Sequence, residues 1–286
     1  MLHLFIEKLL NLFQECCKKI DIMLTKNIIS KNNLLFKDLK KIVNRNQFKG
    51  NFRKIKIEGI NLCKQWMEEK GNPDLCIFEE SAYKNNFLAK MIKDFQNSDT
   101  KCFKLKNNLF KTLTDTKNGI NIFFIINMPV KIFNEKLKEE AIMLDGIQDP
   151  GNLGSILRTS ALFGVKKIFC SNETANAWSQ KVIRAGSGAH FFLDIYENID
   201  LSELLLKTEL PVFATCPHSK NSIYDFDFKK PNIWLFGNEG NGISKKLVEK
   251  SNYSFAIPKR FNIESINVAA CVAICLFEKQ RQKMSK

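Results

Sequence analysis

Three short polar runs in the C-terminal half hold the side chains best suited to chemistry, and each lies between an apolar, strand-like run and a helical pattern. The first, Asp145-Gly-Ile-Gln-Asp-Pro-Gly-Asn-Leu-Gly-Ser-Ile-Leu-Arg158, offers an amide at Asn152 and a guanidinium at Arg158. After the Pro150-Gly151 turn, Asn152 reads as the N-cap of a helix. Arg158 follows six residues later, about one and two-thirds turns on, so spacing alone does not place it on the face of Asn152. A guanidinium there suits the phosphate or ribose oxygens of RNA. The second run, Leu235-Phe-Gly-Asn-Glu-Gly-Asn-Gly-Ile-Ser244, sets the carboxylate of Glu239 among Gly237, Gly240 and Gly242. Glycines at that density let backbone approach a ligand, and Ser244 reads as the cap of the next helix. The run has neither the Gly-Lys-Ser/Thr ending of a Walker A loop nor the spacing G-x-G-x-x-G. The third, Ile257-Pro-Lys-Arg-Phe-Asn-Ile-Glu-Ser-Ile-Asn-Val268, carries Ser265 and Asn267, either of which could cap the apolar helix behind it. Helix capping alone would account for any one of these runs. Three in succession, all after a strand, point to a shared pocket.

The elements that must position these runs follow from periodicity. Strands at 141–144, 233–236 and 253–257 alternate with helices at 152–163, after Ser244, and at 267–281, which predicts a mainly parallel α/β sheet. In such sheets ligands gather beyond the carboxyl ends of strands. Upstream, a strand at 54–58, Gly59, a helix to Glu69, the turn Asn72-Pro73-Asp74 and strands at 75–78 and 121–126 predict a second, smaller α/β domain. The organisation expected is an extension at 1–27, a domain at 28–127, a linker at 128–140 around Pro129, and a domain at 141–286. Residues 1–22, with Leu2, Phe5, Leu9, Leu10, Leu12 and Phe13, suit an amphipathic helix. Glu7, Glu15, Asp21 and the lack of Arg argue against a transit peptide.

Net charge is +14, with 26 Lys/Arg against 16 Asp/Glu up to Glu140 and 18 against 14 beyond it. The excess falls on the N-terminal half, densest at Lys40, Lys41, Arg45, Lys49, Arg53, Lys54 and Lys56, and a surface of that sign attracts phosphate backbones. Nine scattered cysteines without a C-x-x-C pair read as reduced thiols of a reducing compartment, cytoplasmic or organellar. Three dispersed histidines give no metal site. The longest apolar runs, 120–128 and 268–277, are too short to span a bilayer.

At the three runs the chain resembles the SpoU (TrmH-like) family of RNA 2′-O-ribose methyltransferases, within the SPOUT superfamily. The matching motifs are Asp149-Pro-Gly-Asn-Leu-Gly…Arg158, Gly237-Asn-Glu-Gly-Asn-Gly…Ser244 and Ile257-Pro258…Glu264-Ser-Ile-Asn-Val268, in order, with Arg184-Ala-Gly-Ser-Gly-Ala189 as an intervening structural segment. The N-terminal half resembles the ribosomal-protein L30e-like substrate domain, most clearly at Ile57-Glu58-Gly59, which tilts the expected substrate toward rRNA over tRNA. The resemblance implies a C-terminal α/β trefoil-knot domain, a homodimer and S-adenosyl-L-methionine as methyl donor. It implies catalytic roles for Asn152, Arg158, Glu239, Ser265 and Asn267, and cofactor contacts at Gly237, Ile257 and Ile266. Lys259, Phe261 and Ile266 depart from its usual Met, Gly and Leu; Phe261 matters most, because a loop built for Gly can need positive φ. Two readings compete with the enzyme. In a non-catalytic dimeric RNA-binding protein, the basic N-terminal half would do the work. A classical nucleotide-binding α/β enzyme needs an acidic ribose-binding residue after a second strand, and none is convincing.

Overall fold

The structure, a computed structural model, describes residues 25–44, 47–49, 52–115, 121–261 and 265–284; the helix expected over residues 1–22 lies outside them. The chain divides into two compact units, Met1–Val130 and Lys131–Lys286. Among the described residues no helix is long and apolar enough to cross a membrane.

The first unit runs β1 (Lys26–Ile28), α1 (Leu34–Asn44), β2 (Gln47–Lys49), β3 (Phe52–Glu58), α2 (Ile60–Lys70), β4 (Leu75–Glu79), α3 (Asn86–Gln96), β5 (Lys101–Leu105), α4 (Asn107–Phe110) and β6 (Ile122–Pro129). Its six-stranded sheet has the order β1-β5-β4-β6-β3-β2. β6 pairs antiparallel with both β3 and β4, and Ile122 to Ile126 are completely buried. An unbroken apolar run of that kind needs cover on both faces. Successive side chains supply the contacts: Phe123 packs on Phe110 of α4, ring centroids 5.4 Å apart, and Phe124 on Phe95 of α3 at 5.5 Å. Gly59, at φ +101°, turns β3 into α2.

The basic stretch proves to be only partly a surface. Arg53 and Lys56 are buried. Lys56 Nζ donates to Glu58 Oε2, to the Leu113 carbonyl at 3.0 Å and to Asp115 Oδ2 at 2.9 Å. A buried ammonium needs such partners, so this lysine belongs to the internal structure. Lys37, Lys40 and Lys41 on α1 remain exposed.

The second unit contains β7 (Ala141–Asp145), α5 (Pro150–Leu162), β8 (Lys167–Cys170), α6 (Gln180–Gly186), β9 (Asp194–Tyr196), α7 (Leu201–Leu206), β10 (Val212–Thr215), β11 (Ile233–Gly237), α8 (Lys245–Lys250), β12 (Tyr253–Phe255) and α9 (Val268–Met284). Its sheet, ordered β12-β10-β11-β7-β8-β9, is parallel throughout. The fold is therefore the α/β class with a parallel sheet that the sequence predicts. The knotted threading implied by the resemblance involves the last segment of the chain, in which residues 262–264 lie outside the described residues. Residues 131–140, read from sequence within a linker, pack on this unit. Phe133 meets Phe169 at 4.9 Å and Tyr196 at 5.3 Å, and the buried Leu137 exchanges backbone hydrogen bonds with Lys207 and Glu209.

Helices α5 and α6 approach closely at Gly154, where an added Cβ would lie 2.4 Å from Ala185 Cβ and 2.8 Å from the Val182 carbonyl. Under this contact His190 is buried against Gly186 and Trp178, its Nε2 donating to the Ala177 carbonyl at 2.7 Å. Burial pushes its pKa down from 6.5 to about 4. The folded state thus favours neutral imidazole, and the unfolded chain binds the proton first as pH falls. This contribution is complete above about pH 6.5 and is lost as pH falls toward 4, on the order of 3 kcal/mol in all. In urea melts at pH 7 and pH 4.5, His190→Asn should show the smaller acid loss; equal losses in both proteins would refute this role.

Candidate active site

β7 and β11 are neighbours in register, with Asp145 opposite Gly237, so the first two polar loops leave the sheet side by side. Short bonds weld them together. Ser244 N donates to Asp145 Oδ2 at 2.9 Å, and Asn238 Nδ2 donates to the Gly146 carbonyl at 2.8 Å. Asn238 Oδ1 in turn accepts from Gly240 N and Asn241 N, while the Asn238 and Gly242 backbones exchange two hydrogen bonds. Gly237 sits where no side chain fits: an added Cβ would lie 2.3 Å from Gly242 C and Ile243 N.

Two capping expectations are corrected. Asp149, not Asn152, is the N-cap of α5, its Oδ1 accepting from Asn152 N at 2.7 Å with Pro150 in the first turn. Asp-Pro is the sequence signal that was available, since proline suits the first helical position and aspartate the cap. Ser244 makes no side-chain capping bond; its backbone N–H serves Asp145 instead. Asn267 does cap α9, its Oδ1 accepting from Ala269 N at 3.0 Å and Ala270 N at 3.2 Å.

Because Asn152 is released from capping, its side chain joins a line across all three loops. Asn267 Nδ2 donates to Asn152 Oδ1 at 2.9 Å, and Asn152 Nδ2 donates to Glu239 Oε1. The direction of the line is fixed at its start. The carbonyl oxygen of Asn267 already accepts from two helix N–H groups, so only its amide nitrogen points at Asn152, whose own amide must then face Glu239. Asn152 and Glu239 are half-buried and Asn267 is exposed. Asn238 and Asp145, which do not figure among the sequence-derived site residues, prove to be the braces of this arrangement.

The other expected site residues stand elsewhere. Arg158 is exposed and makes no hydrogen bond or ion pair with a described residue. Six residues of helix turn it about 120° from Asn152 around α5. Ser265 is exposed and outside the hydrogen-bonded line; Ile266 is 44% exposed and Ile257 half-buried. Glu264 lies outside the described residues. Phe261 is 76% exposed, and among the described non-glycine residues only Ser187 and Asn198 have positive φ, so the loop does not ask Phe261 for the left-handed backbone. No group of three or more His, Cys, Asp or Glu among the described residues is arranged to hold a metal.

A model of the SpoU rRNA methylase family matches residues 139–277. An uncharacterized tRNA/rRNA methyltransferase of Synechocystis is 37% identical over 145 residues, 50% of this chain and 53% of that protein, so the chain spans about half the length of this relative. One of Borreliella burgdorferi is 30% identical over 203 residues, 69% of this chain and 85% of the relative. The Bacillus subtilis 23S rRNA (guanosine(2553)-2′-O)-methyltransferase RlmP is 27% identical over 256 residues, 88% of this chain and 98% of the relative. Among solved structures, an AdoMet-bound rRNA methyltransferase of Sinorhizobium meliloti superposes with a TM-score of 0.73 at 22% identity, covering 91% of this chain and 99% of that one.

The two loop glycines separate packing from composition. Gly237→Ala should lower stability by about 1–3 kcal/mol, because backbone must move to admit the methyl. Gly240→Ala, whose Cβ would meet only Asn238 Oδ1 at 3.4 Å, should cost little. Thermal or urea melts of the two variants check the contrast, and equal values would discount the close approach.

Proposed function

The chain belongs to the SpoU rRNA methylase family, and from that premise we propose that it transfers a methyl group from S-adenosyl-L-methionine to a ribose 2′-hydroxyl of RNA, rRNA rather than tRNA, in the cytoplasm. The observation that carries this reading is the line Asn267–Asn152–Glu239, which draws three loops at the carboxyl ends of a parallel sheet into one polar site. RlmP, matched over nearly its whole length, is named for 2′-O-methylation of 23S rRNA. The seven described cysteines are free thiols, in keeping with a reducing compartment.

The residues present fit the methyl donor. Gly237 is packed so tightly that only backbone faces the loop, while Ile257 and Ile266 offer apolar surface that is not fully covered. These three would hold the cofactor, which when bound supplies a methyl carbon activated by sulfonium. The protein's remaining task is to fix the ribose oxygen and favour its alkoxide character. Glu239, held on one oxygen by Asn152, has Oε2 free to accept from a sugar hydroxyl. Arg158 holds the 2′-oxygen and the adjacent phosphate; it acts as a cation and not as a base, because guanidinium does not give up its proton at ordinary pH. Ser265 is exposed two residues before Asn267 and is assigned to the ribose side of the site with it.

The active form is a homodimer. α9 is apolar on two sides: Val268, Val272, Cys275 and Leu276 are buried, while Ala270, Ile274 and Phe277 form an exposed stripe. Arg158 shares an exposed stripe of α5 with Ser155 and Leu162, the last 79% exposed, and α5 packs beside α9. A second copy covers both stripes and brings Arg158 to the interface. The N-terminal unit, with Lys37, Lys40 and Lys41 exposed on α1, serves as the L30e-like substrate-binding domain and draws RNA in by charge.

Incubation with labelled S-adenosyl-L-methionine and unmodified rRNA, followed by nucleoside digestion, should yield a 2′-O-methylnucleoside. Arg158→Ala should abolish transfer while calorimetric cofactor affinity stays within about twofold, since an exposed side chain contributes little to a pocket it does not line; normal turnover in that variant would remove the assignment. Phe277→Asp should convert dimer to monomer in light scattering, and a monomeric wild type would refute the dimer.

A further inference from the structure

The sheet of the first unit sets lysines on a face that a helix covers. In register, Lys26 of β1 stands opposite Phe103 of β5, and Lys101 of β5 opposite Leu75 of β4. Leu75 in turn stands opposite Ile125 of β6, and Lys54 of β3 opposite Asn127 of β6. Paired residues share a face of a sheet, and so do residues two apart on one strand. Lys26, Lys54 and Lys101 therefore project on the side of Leu75, Phe103 and Ile125, where Leu39 and Ile42 of α1 pack. Each stands at or near the start of its strand. Lys56 shows how a structural lysine on this face is treated, since Glu58 and Asp115 meet its charge. The other three ammonium groups make no hydrogen bond or ion pair with a described residue.

These three lysines line a groove of about 970 Å³, a volume in the range of ligand pockets. Leu35, Leu75 and Phe103 contribute apolar surface to it, and Gln96, Ser98 and Thr100 contribute polar groups. Two carboxylates also line it. Asp38 is engaged by Lys41 at 3.4 Å, which leaves Asp99 against three cations. Thr100 is 7% exposed and its Oγ1 has no hydrogen-bond partner, a cost that a ligand would relieve once χ1 turns the hydroxyl toward it. Charge, apolar surface and polar edge together select the occupant. Inorganic phosphate would use the cations alone, and an acidic peptide would leave the apolar surface uncovered. An unpaired nucleotide uses all three, with phosphates on the lysines, a base face on the apolar residues and a base edge on the polar ones. A base within a duplex cannot, because its faces are stacked and its edge is paired.

Resting on the reading of RNA as the substrate, we propose that this groove is an anchoring site for one unpaired nucleotide of that RNA, with its flanking phosphates on Lys26, Lys54 and Lys101. The groove is lined only by residues of the first unit. Anchoring therefore needs neither the methyl donor nor the polar loops of the second unit.

The test is fluorescence anisotropy on the full-length protein with a labelled, unpaired decaribonucleotide and no S-adenosyl-L-methionine. Lys54→Gln/Lys101→Gln should weaken binding about tenfold. It should also flatten the fall of log affinity with log salt by about 1.4, the share of two phosphate contacts on a single strand. Lys90→Gln/Lys93→Gln removes the same charge from exposed positions on α3, which packs through Phe95 on Phe124 and so on the opposite face of the sheet. That variant should lose no more than about twofold, since its lysines are outside the groove. A 4-thiouridine in the strand should photo-crosslink to peptides spanning residues 35–42 or 96–103, and a paired duplex or oligoglutamate should compete poorly. Equal weakening by the two double variants, equal competition by duplex or oligoglutamate, or crosslinks only outside the groove overturns the inference while leaving methyl transfer untouched. A wild type that binds the strand at the groove yet methylates no RNA overturns the methyltransferase reading instead.

Discussion

Everything at the site depends on the capped start of one helix. The Asn267 carbonyl oxygen is engaged by two N–H groups that α9 would otherwise leave unpaired, and this leaves its amide nitrogen pointing outward. From there the polarity is forced through Asn152 to Glu239, which ends the line as an acceptor. A single amide rotated end for end would set donor against donor. The two bonds join residues 115 and 87 positions apart in sequence, so they form only when three loops have come to rest together. The same line therefore reports correct closure of the domain and orients the Glu239 carboxylate.

The parallel sheet makes that closure possible. β7 and β11 are adjacent, so their loops start a strand's spacing apart, and Asp145 and Asn238 need only short reach to tie them. Gly237 contributes by absence, since any side chain would push Gly242 and Ile243 away. The turn after β8 extends the same bracing to the other side of β7 through Ser171 and Thr174. The resulting surface is polar but stiff, which suits a reaction that depends on holding one oxygen in line with one carbon. α9 carries exposed Ala270, Ile274 and Phe277 opposite its buried face. A helix with apolar residues on two sides is satisfied on only one by its own domain.

Much of this was legible in residue order. The strands leading to the three loops, the helices behind them and the glycine cluster around Glu239 stand where periodicity and turn chemistry place them. Capping was read less well. Asn152 and Ser244 have the right residue types, yet Asp149 takes the first cap and the backbone N–H of Ser244 goes to a neighbouring loop. Cap propensity is local, whereas these choices were settled by bonds to Asp145 and Glu239, far away in sequence. The charge reading failed at Arg53 and Lys56, which are buried; a cation counted in a basic run can be held inside by carboxylates, as Lys56 is by Glu58 on its own strand and by Asp115.

By itself the sequence determined the α/β class, the three loops and the residue types that furnish them, because hydrophobic period, glycine and cap residues act over a few positions. The tertiary structure alone decided which of those residues meet. It joined Asn152, Glu239 and Asn267. Strand adjacency set those distances, and it is not written in the spacing of any one motif.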